Sequence, residues 1–500
     1  MNILFIPLAL VYFLVTGMLF LYGINFIYMT YLALRYGPPD EKAHGVLSPW
    51  PKVTVQLPIY NEMYVAKRLV EAAANLDYPV DSLEIQVLDD STDETNGIIR
   101  QAVRAAKKRG IDIKHLHRKD RDGYKAGALR DGFARAKGEF IAIFDADFLP
   151  PRNFLKQTLP HFSNPQTAFV QTRWGHLNRD FSFLTLLQSL AIDAHFMVEQ
   201  LARSRRGYWF NFNGTAGIWR RQAIEDAGGW KADTLTEDLD LSYRAFLRGW
   251  KAIFLSSVET PAELPITFNG FRRQQHRWAR GSLECAIKLL PKVWASDAPL
   301  KTKVEATFHL TGYGVHLLLL AYSLIYPLVT IFSQAAPGLI SLFGLAYVFS
   351  LTALAPTLLF IAGQYQLKKK WSSYLPLLLV VSGFGAGMML NTFRAAVEVI
   401  RGRPGEFRRT PKFGVEKRTS PWAKKKYHLG LDPIVFWELL LAAINAYTMA
   451  LGIQAGYWLI SFYAALFAFG FAFTSIYTIH QTVMINRIQN LRGAELPVHN

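Results

Sequence analysis

Three stretches without a single Asp, Glu, Lys or Arg, residues 3–34, 306–367 and 439–486, decide most of what this 500-residue chain can fold into. A helix needs roughly 20 apolar residues to cross a bilayer. The first run is therefore long enough for one crossing and each of the others for two, with breaks expected at residues 333–338 and 452–456. The first run lacks a basic leader, exceeds the apolar core of a signal peptide and shows no small-residue cleavage site, so it reads as a retained anchor. Residues 36–305 are mostly polar and long enough for a complete domain with its own core; the chemistry belongs there.

The net charge of +17 does not mark a nucleic-acid binder. Basic residues crowd beside the apolar runs, at 368–370 and 424–426, instead of interleaving with aromatics along one face, which is the pattern of cytosolic flanks of membrane helices. The lone cysteine, Cys285, excludes an internal disulfide and fits a main domain on the reducing, cytosolic side. Residues 371–400 have a short apolar centre interrupted by Gly383, Gly385 and Gly387. Both of their flanks are basic, so a clean crossing would leave one basic flank outside; an interfacial or re-entrant helix is expected. The organisation is then an anchor (1–35), a cytosolic domain with amphipathic interface helices (36–305), two membrane helices (306–367), an interfacial helix and basic loop (368–430), two membrane helices (431–486) and a cytosolic tail (487–500). That gives five spans, with six as the alternative. Residues 182–206 are amphipathic and suit either the membrane surface or an ordinary packed helix.

Within the domain, strand patterns at 53–57, 85–88, 111–116 and 140–144 alternate with helical patterns at 63–75, 95–109 and 125–136, which predicts an α/β domain with a parallel sheet. Asp145-Ala146-Asp147 follows the strand at 140–144. Residues i and i+2 of an extended chain share a side, and the C-terminal edge of a parallel sheet is where such folds bind ligands. Two hard oxygen donors there suit Mg²⁺ or Mn²⁺ on a diphosphate. Asp89-Asp90 follows the strand at 85–88 at the same edge and can accept hydrogen bonds from a base or ribose, or cap the next helix. No Walker or Gly-x-Gly-x-x-Gly loop is present, which leaves Arg118 and Lys125 as phosphate partners. Thr236-Glu237-Asp238 by itself reads as a helix N-terminus with favourable acidic residues. Gln274-Gln-His-Arg277-Trp278 offers an amide, a cation and an indole within about one helical turn, for a sugar ring and a phosphate or for interfacial anchoring.

In this order, Asp89-Asp90, Asp145-x-Asp147, Thr236-Glu237-Asp238 and Gln274-x-x-Arg277-Trp278 resemble the motifs of family 2 glycosyltransferases of the cellulose-synthase superfamily. The stretches Gln86-Val-Leu-Asp-Asp-Ser-Thr-Asp93, Gly123-Tyr-Lys-Ala-Gly-Ala128, Ala142-Ile-Phe-Asp-Ala-Asp-Phe148 and Phe212-Asn-Gly-Thr-Ala-Gly217 are most similar to the plant cellulose-synthase-like A and C families, makers of mannan, glucomannan and glucan backbones. The resemblance implies a GT-A fold. Asp145 and Asp147 would hold the metal and diphosphate, and Tyr60, Glu62, Asp89, Asp90 and Lys125 would surround the nucleotide. Asp238, beside Glu237, would be the general base of an inverting displacement. Gln274, Arg277 and Trp278, with Phe212, Asn213 and Gly214, would hold the acceptor sugar and phosphate. Phe407-Arg-Arg-Thr410-Pro-Lys412 is similar in spacing to the gating loop of bacterial cellulose synthase, with Arg409 at the valine position.

The expected function is transfer of a hexose from UDP-glucose or GDP-mannose to a growing β-linked polysaccharide at a lipid bilayer. The alternatives are a non-processive enzyme that glucosylates a membrane lipid and, from another class, an inactive transporter or scaffold. No nucleic-acid partner is expected. The expected location is a bacterial plasma membrane, or a Golgi membrane if the protein is plant-like.

Overall fold

The computed structural model describes residues 2–38, 49–335 and 350–494. A seven-stranded sheet with order β3-β2-β1-β4-β6-β5-β7 forms the centre of the domain. Its strands are β1 (Val53–Ile59), β2 (Leu83–Asp89), β3 (Ile113–His117), β4 (Phe140–Ile143), β5 (Thr167–His176), β6 (Gly217–Arg220) and β7 (Lys251–Ala262). β1 and β2 are buried along their whole length, as expected of central strands covered on both faces. One face is apolar, with Val53, Val55, Leu57, Ile85 and Val87 in the core. The other carries Thr54 and Gln56 opposite Glu84 and Gln86, and Thr54 Oγ1 meets its need for a partner by donating to Glu84 Oε2 at 2.7 Å.

The sequence expectation of a parallel sheet holds for β1 to β4, which all run the same way. It fails at β6, which pairs antiparallel with both β4 and β5, so the sheet is mixed. β6 is only four residues long, too short for a period to show in sequence. The reversal matters for the site. The ends of β1, β2, β3, β4, β5 and β7 and the start of β6 all open onto one edge.

Helices α1 (Asn2–Tyr36), α2 (Ala66–Ala73), α3 (Thr95–Lys108), α4 (Tyr124–Phe133), α5 (Phe183–Ala194), α6 (Glu237–Leu247) and α7 (Phe268–Ala295) are followed by α8 (Gly314–Ala335), α9 (Ala355–Gln366), α10 (Trp371–Ala386), α11 (Met389–Ile400), α12 (Ile434–Gln454) and α13 (Trp458–Ala494). Five stretches among the described residues are long and apolar enough to cross a membrane: 6–36, 314–332, 371–400, 434–454 and 458–489. The set differs by one member from the sequence expectation. Of the pair expected in 306–367 only α8 qualifies, because α9 has twelve residues and residues 336–349, with much of the expected break, lie outside the described residues. α9 nevertheless returns alongside α1: Thr352 packs on Gly23 and Gln366 Nε2 donates to Ala33 O at 2.6 Å.

Residues 371–400 are long enough to cross, but both of their ends meet the same domain. Lys369 Nζ lies 3.2 Å from Asp193 on α5, and Glu398 lies 3.0 Å from Arg280 on α7. Between them the chain bends after α10, and the interrupting glycines bring it close to α13: a Cβ on Gly383 would stand 2.9 Å from Phe469, and one on Gly387 2.6 Å from Gly470 O. Small residues permit this kind of helix approach in membranes. α5, capped by Ser182, is a packed helix, with Leu184, Leu187 and Leu190 against Leu378, Val381 and Phe384 of α10.

α7 joins the two parts. Its fully buried Arg272 forms an ion pair with fully buried Glu438 of α12, with a second contact of 3.1 Å between Nη2 and Oε2. Removing one partner of such a pair leaves an uncompensated buried charge at a cost of about 3–5 kcal/mol, whereas an apolar pair of similar volume is close to neutral. Glu438→Ala is therefore expected to lower the midpoint of thermal unfolding in detergent markedly, and Arg272→Met with Glu438→Leu to recover most of the loss. Equal unfolding midpoints for wild type and Glu438→Ala would refute the assignment.

Candidate active site

Chain segments from across the fold meet at the common edge of the sheet and enclose a cleft. β1 delivers Tyr60 and Glu62, β2 delivers Asp90, and the turn and helix after β3 deliver Arg121 and Lys125. Asp145 and Asp147 follow β4, Asn213 and Gly214 precede β6, and Glu237 and Asp238 open α6. The first turns of α7 add Gln274, Arg277 and Trp278, and the segment after α11 adds Phe407, Thr410 and Lys412.

Lys125 stands at the centre. Its ammonium lies 2.7 Å from Asp145 Oδ1 and 3.5 Å from Glu237 Oε1, and it donates to Gly214 O at 2.9 Å. Burial alone would lower the pKa of this ammonium, but Asp145 and Glu237 reverse the effect and hold it above its ordinary value. Burial raises the Asp145 carboxyl despite the opposing pull of Lys125. Gly214 has φ +77°, and a Cβ there would stand 3.0 Å from Asp238 Oδ2 and 3.3 Å from Lys125 Nζ. Glycine is thus required twice, for the left-handed backbone and for the space beside the acid.

Asp238 is pushed up to about 7 by burial, with the neighbouring Glu237 adding to the rise and Lys125 and Arg277 opposing it. A carboxyl poised near neutrality in a cleft is suited to accept a proton. Glu62 is likewise raised to about 7 by burial, against the pull of Arg409 and with Asp147 and Asp145 adding to it. Asp147 is met by Lys412 Nζ at 2.7 Å. The carboxylates of Asp145 and Asp147 therefore each face a cation already, which shows that this end of the cleft accommodates positive charge. Hard oxygen donors two residues apart fit Mg²⁺ or Mn²⁺.

Two candidates lie elsewhere. Asp89 turns away from the cleft: its carboxylate accepts from Ser91 N at 2.8 Å and Asn96 Nδ2 at 2.8 Å and lies 2.8 Å from His115 Nε2. Adjacent residues of a strand point to opposite faces, so Asp89 and Asp90 cannot share one ligand. Asp89, His115 and His117 are close enough together to hold a metal ion. The amide of Asn96 already reaches into that space, 3.0 Å from His117 Nδ1, and hydrogen bonds close the cluster. Phe212 is fully buried in the core beneath the sheet, in edge contact with Phe169, while its neighbours Asn213 and Gly214 face the cleft.

Arg118 is not free for phosphate, since it pairs with Asp90 through two hydrogen bonds of 2.8 and 2.7 Å. Two residues of the site carried no sequence signal. Arg121 lies 3.5 Å over the Tyr60 ring and donates to Phe407 O at 3.3 Å. Glu263, 1% exposed, accepts from Phe413 N at 2.8 Å and Val415 N at 3.2 Å and so fastens the 407–415 segment to the end of β7. Neither Arg121 in a run of charges nor Glu263 in Ala-Glu-Leu-Pro stands out in the sequence.

The family described as "Glycosyltransferase like family 2" matches residues 51–281, a segment that contains the sheet and most of the cleft. Glucomannan 4-beta-mannosyltransferase 2 of Arabidopsis thaliana is 46% identical over 267 residues, covering 52% of this chain and 49% of that protein. Glucomannan 4-beta-mannosyltransferase 1 of Cyamopsis tetragonoloba is 43% identical over 252 residues, covering 49% and 47%. The chain thus spans about half the length of the curated relatives it matches. A solved mannosyltransferase from Pyrobaculum calidifontis, in complex with GDP-Man and Mn²⁺, aligns with a TM-score of 0.49 at 21% identity over 79% of this chain and 99% of that one. The mixed sheet and the acidic cleft at its edge lie in the segment matched at residues 51–281, which is a glycosyltransferase family 2 domain.

Proposed function

We propose that the protein is a membrane-embedded, inverting hexosyltransferase that extends a β-linked polysaccharide, with GDP-mannose as the first donor to test and UDP-glucose as the second. The observation that carries this reading is that Lys125, 2.7 Å from Asp145 and 3.5 Å from Glu237, brings the acids that follow β4 and those that open α6, Asp238 among them, into one cleft. The names of the plant relatives, all glucomannan mannosyltransferases, support mannose and a polymer acceptor. Those relatives lend no support to a bacterial plasma membrane.

In this mechanism Tyr60, Glu62 and Asp90 receive the nucleotide, and Trp278 and Asn213 position the acceptor sugar. Asp145 and Asp147 would hold Mg²⁺ or Mn²⁺, which when bound supplies positive charge to the departing diphosphate. Asp238 takes the proton of the acceptor hydroxyl as its oxygen bonds to the anomeric carbon. The bond from that carbon to the diphosphate breaks on the opposite face, and its electron pair leaves with the nucleoside diphosphate. Attack from behind converts an α-linked donor into a β-linked product. The basic flanks support a domain on the cytosolic side.

With radiolabelled GDP-mannose and UDP-glucose supplied separately, one donor is expected to give long chains sensitive to a β-glycanase. Asp238→Asn, which keeps shape but removes the base, is expected to lower turnover by about 10²–10⁴-fold. Label confined to an organic-extractable, single-sugar lipid would replace the polymer with a lipid acceptor, and unchanged turnover in Asp238→Asn would refute the base.

The pH dependence follows from the same residue. Asp238 accepts a proton only as carboxylate, and its pKa is pushed up to about 7. The log of kcat/KM should fall with unit slope as pH drops below about 7 and level off above it. An acidic limb near 4 would mean that the base is another group or that Asp238 is not raised.

A further inference from the structure

The carboxylates after β4 are held by lysines of different origin. Lys125 lies on α4 inside the domain, whereas Lys412 belongs to the segment that returns from α11. Lys412 Nζ lies 2.7 Å from Asp147 Oδ2, with the two side chains only 6% and 14% exposed, so water and salt screen the pair little. The same ammonium donates to Glu263 O. On one side of this contact Glu263 holds Phe413 and Val415. On the other, Phe407 lies 6.4 Å from the Tyr124 ring and 4.5 Å beneath the Arg277 guanidinium. Arg408, between these fastenings, is exposed at its side chain.

Charge bookkeeping gives this arrangement a consequence. With Lys125 on Asp145 and Lys412 on Asp147, the two pairs carry no net charge, and a bare divalent cation gains little by entering. A cation bound to Asp147 would also stand within a few ångströms of the Lys412 ammonium, and like charges at that range repel strongly in a water-poor site. A diphosphate that arrives with the cation changes both terms, because it brings negative charge and gives a displaced ammonium a new partner.

We propose that Lys412 is a place-holding cation on Asp147: its ammonium neutralises that carboxylate until a divalent cation takes it over, and the displaced ammonium then turns to the incoming diphosphate. This rests on the reading of Asp145 and Asp147 as the cation-binding pair. Metal and nucleoside diphosphate then bind each other's complex more tightly than the free protein, and Lys412 is the residue that couples them.

The test is Mn²⁺ binding to the full-length protein in detergent, followed by the loss of the free Mn²⁺ electron paramagnetic resonance signal, with and without GDP. Lys412→Met is expected to bind Mn²⁺ alone on the order of tenfold tighter than wild type, since an uncompensated buried carboxylate then awaits the ion. GDP should tighten Mn²⁺ binding in wild type by more than it does in Lys412→Met. Asp147→Asn should abolish binding in both backgrounds. Equal, Asp147-dependent affinities for Mn²⁺ in wild type and Lys412→Met would overturn the place-holding role alone. Absence of Mn²⁺ binding from both proteins, with or without GDP, would overturn the cation-binding pair and this proposal with it. A measurement on wild type needs no variant to fold: GDP should tighten Mn²⁺ binding there, and a Mn²⁺ affinity that GDP leaves unchanged would overturn the exchange.

Discussion

A single buried ammonium ties the parts of the cleft together. Lys125 is within 3.5 Å of acids from the end of β4 and the start of α6 and of the backbone before β6. Without it, Asp145, Glu237 and Asp238 would face one another as like charges in a desolvated space, which costs several kcal/mol per uncompensated ion. With it, the acids that follow β4 and those that open α6 are held at a fixed separation. Gly214 completes the arrangement, since no other residue allows its carbonyl to reach Lys125 while leaving Asp238 room.

The second dependence is the joint between the domain and the membrane helices. α7 presents Gln274, Arg277 and Trp278 to the cleft and, on the preceding turn, sends Arg272 to Glu438 of α12. Asn391 of α11 donates to Arg272 O at 3.0 Å, and Gln481 of α13 accepts from Phe268 N at 2.8 Å. Three apolar helices are therefore keyed to the start of the helix that carries these cleft-lining side chains. This puts the Gln274, Arg277 and Trp278 end of the cleft at the boundary with the apolar helices.

Charge explains why the 407–415 segment folds back over the cleft instead of remaining a simple basic flank. The cleft is rich in carboxylates, and Lys412 meets Asp147 there while Arg409 offsets the burial of Glu62. The anchor is nevertheless an acid of the domain, Glu263, whose oxygens satisfy two backbone N–H groups of the segment. Backbone groups taken out of water need such partners, so a buried glutamate at the end of β7 fixes where the segment can lie.

The sequence by itself determined the local alternation of strands and helices in the first half of the domain, because apolar periodicity and length set those elements. It also determined that Asp90, Asp145 and Asp147 lie at one sheet edge, since a parallel βαβ order brings successive strand ends together. Only the tertiary structure decided that β6 runs antiparallel, that Asp89 faces away from its neighbour's ligand side, and that Phe212 fills the core while Asn213 faces the cleft. The roles of Arg121 and Glu263 likewise arise from contacts between segments far apart in the chain. Such contacts depend on shape and charge in three dimensions, and periodicity along one segment carries no information about them.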